Sequence, residues 1–204
     1  LSHDEVVHEK RSLIGRMPGT DAEPFANMRL LFGYQWLFPG KQLLFMGGEI
    51  GQRTEWNEDA EVPWELLEEN ESHAGLQQWV ADLNHLYRNE PALWEGDYSE
   101  GGFYWVDNAD HAANVVSFVR QTPDCSRQAL ALLNLGNASH TGYRIGLPRA
   151  GWWREALNSD SEHYGGANLG NHGGVHSQET PWHSQPWSAE FDLPPLSCSV
   201  FLCD

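Results

Sequence analysis

The 204-residue chain carries 29 acidic against 12 basic side chains, a formal charge of −17, with 40% hydrophobic and 12% aromatic residues. Such a composition can bury a core and excludes a disordered chain. A surface this negative repels phosphate backbones and anionic lipid, which argues against nucleic-acid and membrane partners, and no run of 18 apolar residues is present to span a bilayer.

The chain opens on Leu1-Ser2-His3-Asp4-Glu5-Val6-Val7-His8, a string of polar groups as dense as an active-site loop. No strand precedes it, although a reacting carboxylate has to be held to about half an ångström by rigid structure. The expectation is therefore a piece of a longer protein. Next, Thr20-Asp21-Ala22-Glu23 has the spacing of a capping box, with Pro24 in the first turn. Phe25, Met28, Leu31, Phe32 and Trp36 then recur at helical spacing until Pro39-Gly40 ends the helix. Leu43 to Met46 is a continuous apolar run, which predicts a strand buried on both faces, as in a parallel sheet. A polar loop from Gly47 to Ser72 follows. Leu76, Trp79, Val80, Leu83, Leu86 and Tyr87 mark a second helix that ends near Glu90-Pro91.

Beyond Gly101-Gly102 the period changes. Short segments at 103–106, 114–120, 129–135, 143–147, 152–157, 189–193 and 197–202 alternate with Gly, Pro, Asn and Asp clusters, the pattern of an antiparallel β-sandwich. The Gly/His/Asn stretch from Gly165 to His176 reads as one long loop. The domain boundary is placed near residue 96, giving residues 1–96 and 97–204.

Polar residues that follow the C-terminal end of a strand are where a β/α barrel places its chemistry. The Gly47 to Asn57 loop would then share a rim with His3-Asp4, and its Glu49, Arg53, Glu55, Trp56 and Asn57 suit a sugar, with a ring to stack on and hydroxyls to bond. His163, His172, His176 and His183 invite a metal, but they lie in a Gly-rich loop without a cysteine nearby, so no metal site is expected. Trp152, Trp153, Trp182 and Trp187 could instead form a glucan-stacking platform. Cys125, Cys198 and Cys203 are odd in number and lack C-x-x-C spacing. On a strand, Cys198 and Cys203 would face opposite sides, so reduced cytoplasmic thiols are expected.

The string Ser2 to His8 resembles the fourth conserved region of α-amylase-type glycoside hydrolases, in the version carried by 1,4-α-glucan branching enzymes. Arg16-Met17-Pro18-Gly19, Phe38-Pro39-Gly40-Lys41, Leu44-Phe45-Met46-Gly47 with Glu49, and Glu55-Trp56-Asn57 are similar to the same family. So are Leu157-Asn158-Ser159-Asp160-Ser161, Tyr164-Gly165-Gly166 and Leu193-Pro194-Pro195-Leu196 in the second half. The resemblance implies the end of a (β/α)8 barrel, containing its last two helices and one complete strand, followed by an all-β domain. It implies Asp4 as the carboxylate that stabilises the transition state, His3 as a ligand of sugar hydroxyls, and Glu49, Trp56 and Asn57 as substrate-side residues. The parent protein would move a segment of an α-glucan such as amylose or glycogen, without a cofactor. Its nucleophile and acid/base would precede Leu1, leaving the isolated chain inactive, the apolar stripes of both helices exposed, and the second half as its stable unit. Within the family, a trehalose-releasing or debranching hydrolase is the alternative; outside it, a non-catalytic glucan-binding module. Two positions depart from the family pattern, Glu9 where Gly is usual and Gly48 where Asn is common.

Overall fold

The structure is a computed structural model that describes residues 1–20 and 22–203. Among the described residues four α-helices come first: α1 (Leu13–Arg16), α2 (Glu23–Leu37), α3 (Leu66–Glu69) and α4 (Glu71–Asn89). Eight strands follow: β1 (Phe103–Asp110), β2 (Val115–Gln121), β3 (Gln128–Asn134), β4 (His140–Leu147), β5 (Trp152–Asn158), β6 (Gly174–His176), β7 (Trp187–Leu193) and β8 (Ser197–Cys203).

Both long helices begin and end for local reasons. Glu23 reaches back to the Thr20 N–H at 3.0 Å, one half of the expected capping box, but the cap position falls to Ala22, which offers no side-chain bond. Asp21 lies outside the described residues. Phe38, held extended as the residue before a proline must be, stops α2. At α4, the Asn70 side chain accepts from the Ser72 N–H at 2.8 Å and caps the helix.

The strands form a six-stranded antiparallel sheet in the order β1-β2-β3-β8-β5-β6 and a two-stranded sheet of β4 with β7. The expected sandwich is present, with a third layer added. Successive side chains of a strand point to opposite faces. On β3, Leu130 and Leu132 face the small sheet, while Ala129, Ala131 and Leu133 face the helices. On β8, Phe201 and Cys203 face the small sheet, while Cys198, Val200 and Leu202 face α2 and α4. Both central strands are buried along their whole length, because one face is covered by helices and the other by β4 and β7. As the sequence implied, Cys198 and Cys203 lie on opposite faces.

Three expectations change. The run Leu43 to Met46 forms no strand, and Leu43 and Met46 are 57% and 55% exposed. Strand geometry is maintained by a neighbour's ladder of backbone bonds, and neither sheet reaches this segment. The Leu43 carbonyl is met instead by the Gln35 amide at 2.6 Å. The described residues accordingly contain the all-β domain and its helices, without a barrel sheet. Second, residues 165–176 are not one loop: Gly174–His176 pairs with Trp152–Arg154 at the edge of the large sheet. Third, the helical stripes are not left bare. Phe25, Met28, Phe32, Trp36, Leu76, Trp79 and Leu83 share a core with Phe118, Leu133 and Val200 of the sheet.

Buried polar groups bind this joint. Arg120 on β2, 1% exposed, pairs with Asp97 and donates to the carbonyls of Leu37 at 2.8 Å and Leu93 at 2.9 Å. Arg29 on α2 donates to the carbonyls of Ser159 at 2.7 Å and Tyr164 at 3.1 Å. The Trp79 indole donates to the Arg29 carbonyl at 2.9 Å, and Tyr164 donates its hydroxyl to Asp82 at 2.8 Å. Close approach matters too: a Cβ on Gly75 would lie 2.6 Å from the Tyr164 carbonyl oxygen, and one on Gly33 would lie 2.6 Å from the Cys198 sulfur. The Asn158-Ser159-Asp160 and Tyr164-Gly165-Gly166 motifs therefore lie in this joint. Asp160 accepts from the N–H groups of Ala167 and Leu169, both at 3.1 Å, and shapes the glycine turn that meets α4.

Candidate active site

Two loops with no regular sheet behind them meet at one end of the helix pair. The first runs from Leu1 to Ser12. Its 3-10 turn, His3–Glu5, is capped reciprocally: the Ser2 hydroxyl accepts from the Asp4 N–H at 3.2 Å, and the Glu5 carboxylate reaches back to the Ser2 N–H and hydroxyl. The Ser2 hydroxyl bond holds the Glu5 carboxyl below the usual carboxylate range. The second loop carries Gly47 to Asn57. Trp56 N–H donates to the Val6 carbonyl at 3.0 Å, and the Ser12 hydroxyl donates to the Arg53 carbonyl at 2.9 Å. The two loops are thus tied to each other, although no strand among the described residues stands behind them.

On this rim His3 and Asp4 are neighbours in space, with Nε2 to Oδ1 at 3.3 Å and side chains 57% and 71% exposed. A donor and an acceptor side by side can together address vicinal hydroxyls. The His3 ring lies 6.0 Å from Phe45, which meets Trp56 edge-on at 5.4 Å, so an aromatic wall runs from the acid to the second loop. Trp56 and Asn57 line a cleft of about 490 Å³ that also contains Glu61, Pro63 and Trp64. Asn57 turns its side-chain oxygen to the Asp59 N–H at 3.0 Å. Glu49 is half-buried in the Met46 to Gly51 turns and is not among the residues lining that cleft. His3, Asp4 and Trp56 are therefore brought together, and Asn57 sits at the cleft beyond them.

Residue type alone did not identify Trp64, which is 51% exposed on the cleft wall, or Lys10. Glu55 was named as a rim residue, but its partners, the Glu9 and Arg11 N–H groups, lie 46 and 44 residues away. The Glu9 departure does carry a local signal. Its φ of 64° is left-handed, where a Gly would be relaxed. At Gly48, a Cβ would lie 2.8 Å from the Leu44 side chain and 3.1 Å from the Phe45 carbonyl oxygen.

The other clusters disperse. Among the four loop histidines, His163 approaches Asp82 at 4.0 Å, His176 packs on Trp152 at 4.7 Å and His183 faces Asp107 at 3.5 Å. Nor do the tryptophans form one platform: Trp153 is fully buried between the sheets, Trp187 is half-buried against the same core, and Trp182 is exposed on a hairpin tip. Cys198 is fully buried against α2, and burial pushes its thiol up to about 12, which makes it unreactive.

The chain is similar to several known proteins. A family profile described as "Alpha amylase, C-terminal all-beta domain" matches residues 105–204. The 1,4-alpha-glucan branching enzyme GlgB of Aromatoleum aromaticum is 50% identical over 197 residues, covering 97% of this chain and 31% of that protein. Its counterpart from Aquifex aeolicus is 49% identical over 197 residues, with the same coverage. That of Synechococcus elongatus is 48% identical over 200 residues, covering 98% of this chain and 26% of the relative. The chain thus spans less than a third of the length of these curated relatives. The crystal structure of AmyP E221Q in complex with maltotriose superposes with a TM-score of 0.64 at 15% identity, covering 90% of this chain and 36% of that one, which is a likeness of fold. The chain belongs to the α-amylase-type family and matches the C-terminal part of its 1,4-α-glucan branching enzymes.

Proposed function

We propose that the chain is the C-terminal part of a 1,4-α-glucan branching enzyme, with residues 1–96 completing a (β/α)8 barrel and residues 97–204 forming the all-β domain. In this reading Asp4 stabilises the transition state of glycosidic cleavage and His3 binds sugar hydroxyls beside it. An α-1,4 bond of the glucan is cut, the glucan segment is held as an ester on a carboxylate, and a 6-hydroxyl of another glucose accepts it. As the cleaved sugar flattens toward an oxocarbenium-like state, its bonds to ring hydroxyls tighten and positive charge grows at the anomeric carbon. A carboxylate with an imidazole 3.3 Å away addresses both changes. Trp56 and Asn57 supply a ring face and an amide to the adjoining sugar units, and Glu49 has a supporting role. A neutral polysaccharide meets no penalty from the chain's negative field, and no metal or cofactor is required. The proposed compartment is the cytoplasm.

The observation that supports the reading is the contact of the two loops, with His3 3.3 Å from Asp4 and Phe45 between the His3 and Trp56 rings. A retaining mechanism also needs a nucleophile and an acid/base roughly 5–5.5 Å apart. We assign both to the portion of the relatives that this chain does not match, so the 204-residue chain alone should be inactive. The test is to incubate amylose with the chain alone and with the longer protein that carries it. New α-1,6 linkages, counted by debranching and chain-length analysis, should form only with the longer protein. Linkages formed by the chain alone would refute the assignment of the missing carboxylates. New reducing ends without branches would point to the hydrolase alternative.

A further inference from the structure

After its 3-10 turn, the Asp4 loop takes three left-handed residues within four positions: His8 at φ 59°, Glu9 at 64° and Arg11 at 68°. None is glycine, so the turn holds its shape only where outside partners over-determine it. One side chain provides most of that. Glu55 accepts from the Glu9 N–H at 3.1 Å through Oε2 and from the Arg11 N–H at 2.6 Å through Oε1, across 46 and 44 residues of sequence. Lys10 lies between the two clamped amides, and its Nζ donates to the Asp4 carbonyl at 2.7 Å. The adjacent bond from Trp56 N–H to the Val6 carbonyl, 3.0 Å, ties the same stretch from the other side.

We propose that Glu55 is a positioning residue for Asp4: it clamps the left-handed turn at residues 9–11, and Lys10, carried on that turn, fixes the backbone of the acid. Both Glu55 oxygens accept from backbone N–H groups. The residue also lines the Trp56 cleft, so a contribution through the loop is told from contact with substrate by kcat against KM. The inference rests on the reading of Asp4 as a reaction carboxylate. A shift of about 1 Å at a reacting group is enough to slow chemistry by up to about 100-fold, so a loosened turn should lower kcat and leave KM nearly unchanged.

Two measurements test it. In the 204-residue chain, Glu55→Gln replaces one acceptor by an amide NH2 facing an N–H. Hydrogen exchange at the Glu9 and Arg11 amides should accelerate about tenfold or more, while the amide of Phe201 in the central sheet stays as protected as before. In the longer branching protein, Glu55→Gln and Lys10→Met should each reduce kcat about tenfold, with KM for amylose changed by less than about twofold, and Lys10→Arg should restore most of the rate. Unchanged exchange at both amides overturns the clamp. A raised KM with kcat intact also overturns it, because Glu55 would then be contacting glucan. Full branching activity in Asp4→Asn, with the exchange effect present, would instead overturn the reading of Asp4 on which the inference rests.

Discussion

At the joint between helices and sheet, Arg120 uses its guanidinium on the Leu37 and Leu93 carbonyls and on Asp97, all out of water, whereas at the rim Asp4 stands 71% exposed on a loop tied by backbone N–H groups. The first region depends on burial: removing one partner leaves the others dehydrated and unpaired. The second depends on a few long-range bonds between loops in contact with solvent, which shape the chain without adding much to the free energy of folding. Stability and chemistry are therefore separable here, and substitutions should affect one or the other.

The largest effect should come from Arg120→Ala. It strands the Asp97 carboxylate in the interior, and breaking a buried pair from one side lowers stability by about 3–5 kcal/mol. Urea unfolding of the chain should register this as a lower midpoint, and a change below about 1 kcal/mol would break the comparison. Gly75→Ala comes next, because its methyl would meet the Tyr164 backbone at 2.6 Å, and forcing the helix away from the sheet's glycine turn should lose about 1–3 kcal/mol. The sign reverses at the rim. Glu9→Gly relieves a left-handed glutamate and should raise stability by up to about 1 kcal/mol, visible as a small upward shift in Tm. A loss of stability there would show that the Glu9 side chain is itself a support.

The smallest effect is electrostatic and local. Hydrogen bonds from Thr122 and Ser126 hold the Asp124 carboxyl down to about 2, and the turn it organises is on the surface. A folded-state pKa depressed below the unfolded value of about 3.9 means the contribution is fully present above about pH 4 and is lost as pH falls toward 2. The Ser126 amide shift should titrate with a midpoint near 2. A midpoint near 4 would show that the turn does not hold the carboxylate.

The same contrast explains what could be read from the chain. Strands β1, β2, β3, β4, β5, β7 and β8 were visible as short apolar segments between turn residues. So were the helical stripes of α2 and α4, since each is a local pattern. Leu43 to Met46 misled because strand formation depends on a neighbour, which local hydrophobicity does not reveal. β6 escaped because three residues, Gly174, Val175 and His176, carry too little pattern and pair only through the register of Trp152 to Arg154. At the site, His3, Asp4 and Trp56 could be named from residue type and family likeness. Glu55 was visible as a rim acid, but its partners at residues 9 and 11 became clear only once the two loops were folded together. No local pattern marks Arg29 and Arg120 as interior residues, and the fold buries both.

The most direct test of the account is the rate of α-1,6 branching by the longer protein carrying Asp4→Asn, measured beside the unfolding midpoint of the same variant. The side chain is exposed, so stability should change by no more than about 0.5 kcal/mol. The loss of one pre-organised charge at the reacting sugar should lower kcat by about 100- to 1,000-fold. Branching within tenfold of the unsubstituted protein, at unchanged stability, would contradict the assignment of Asp4.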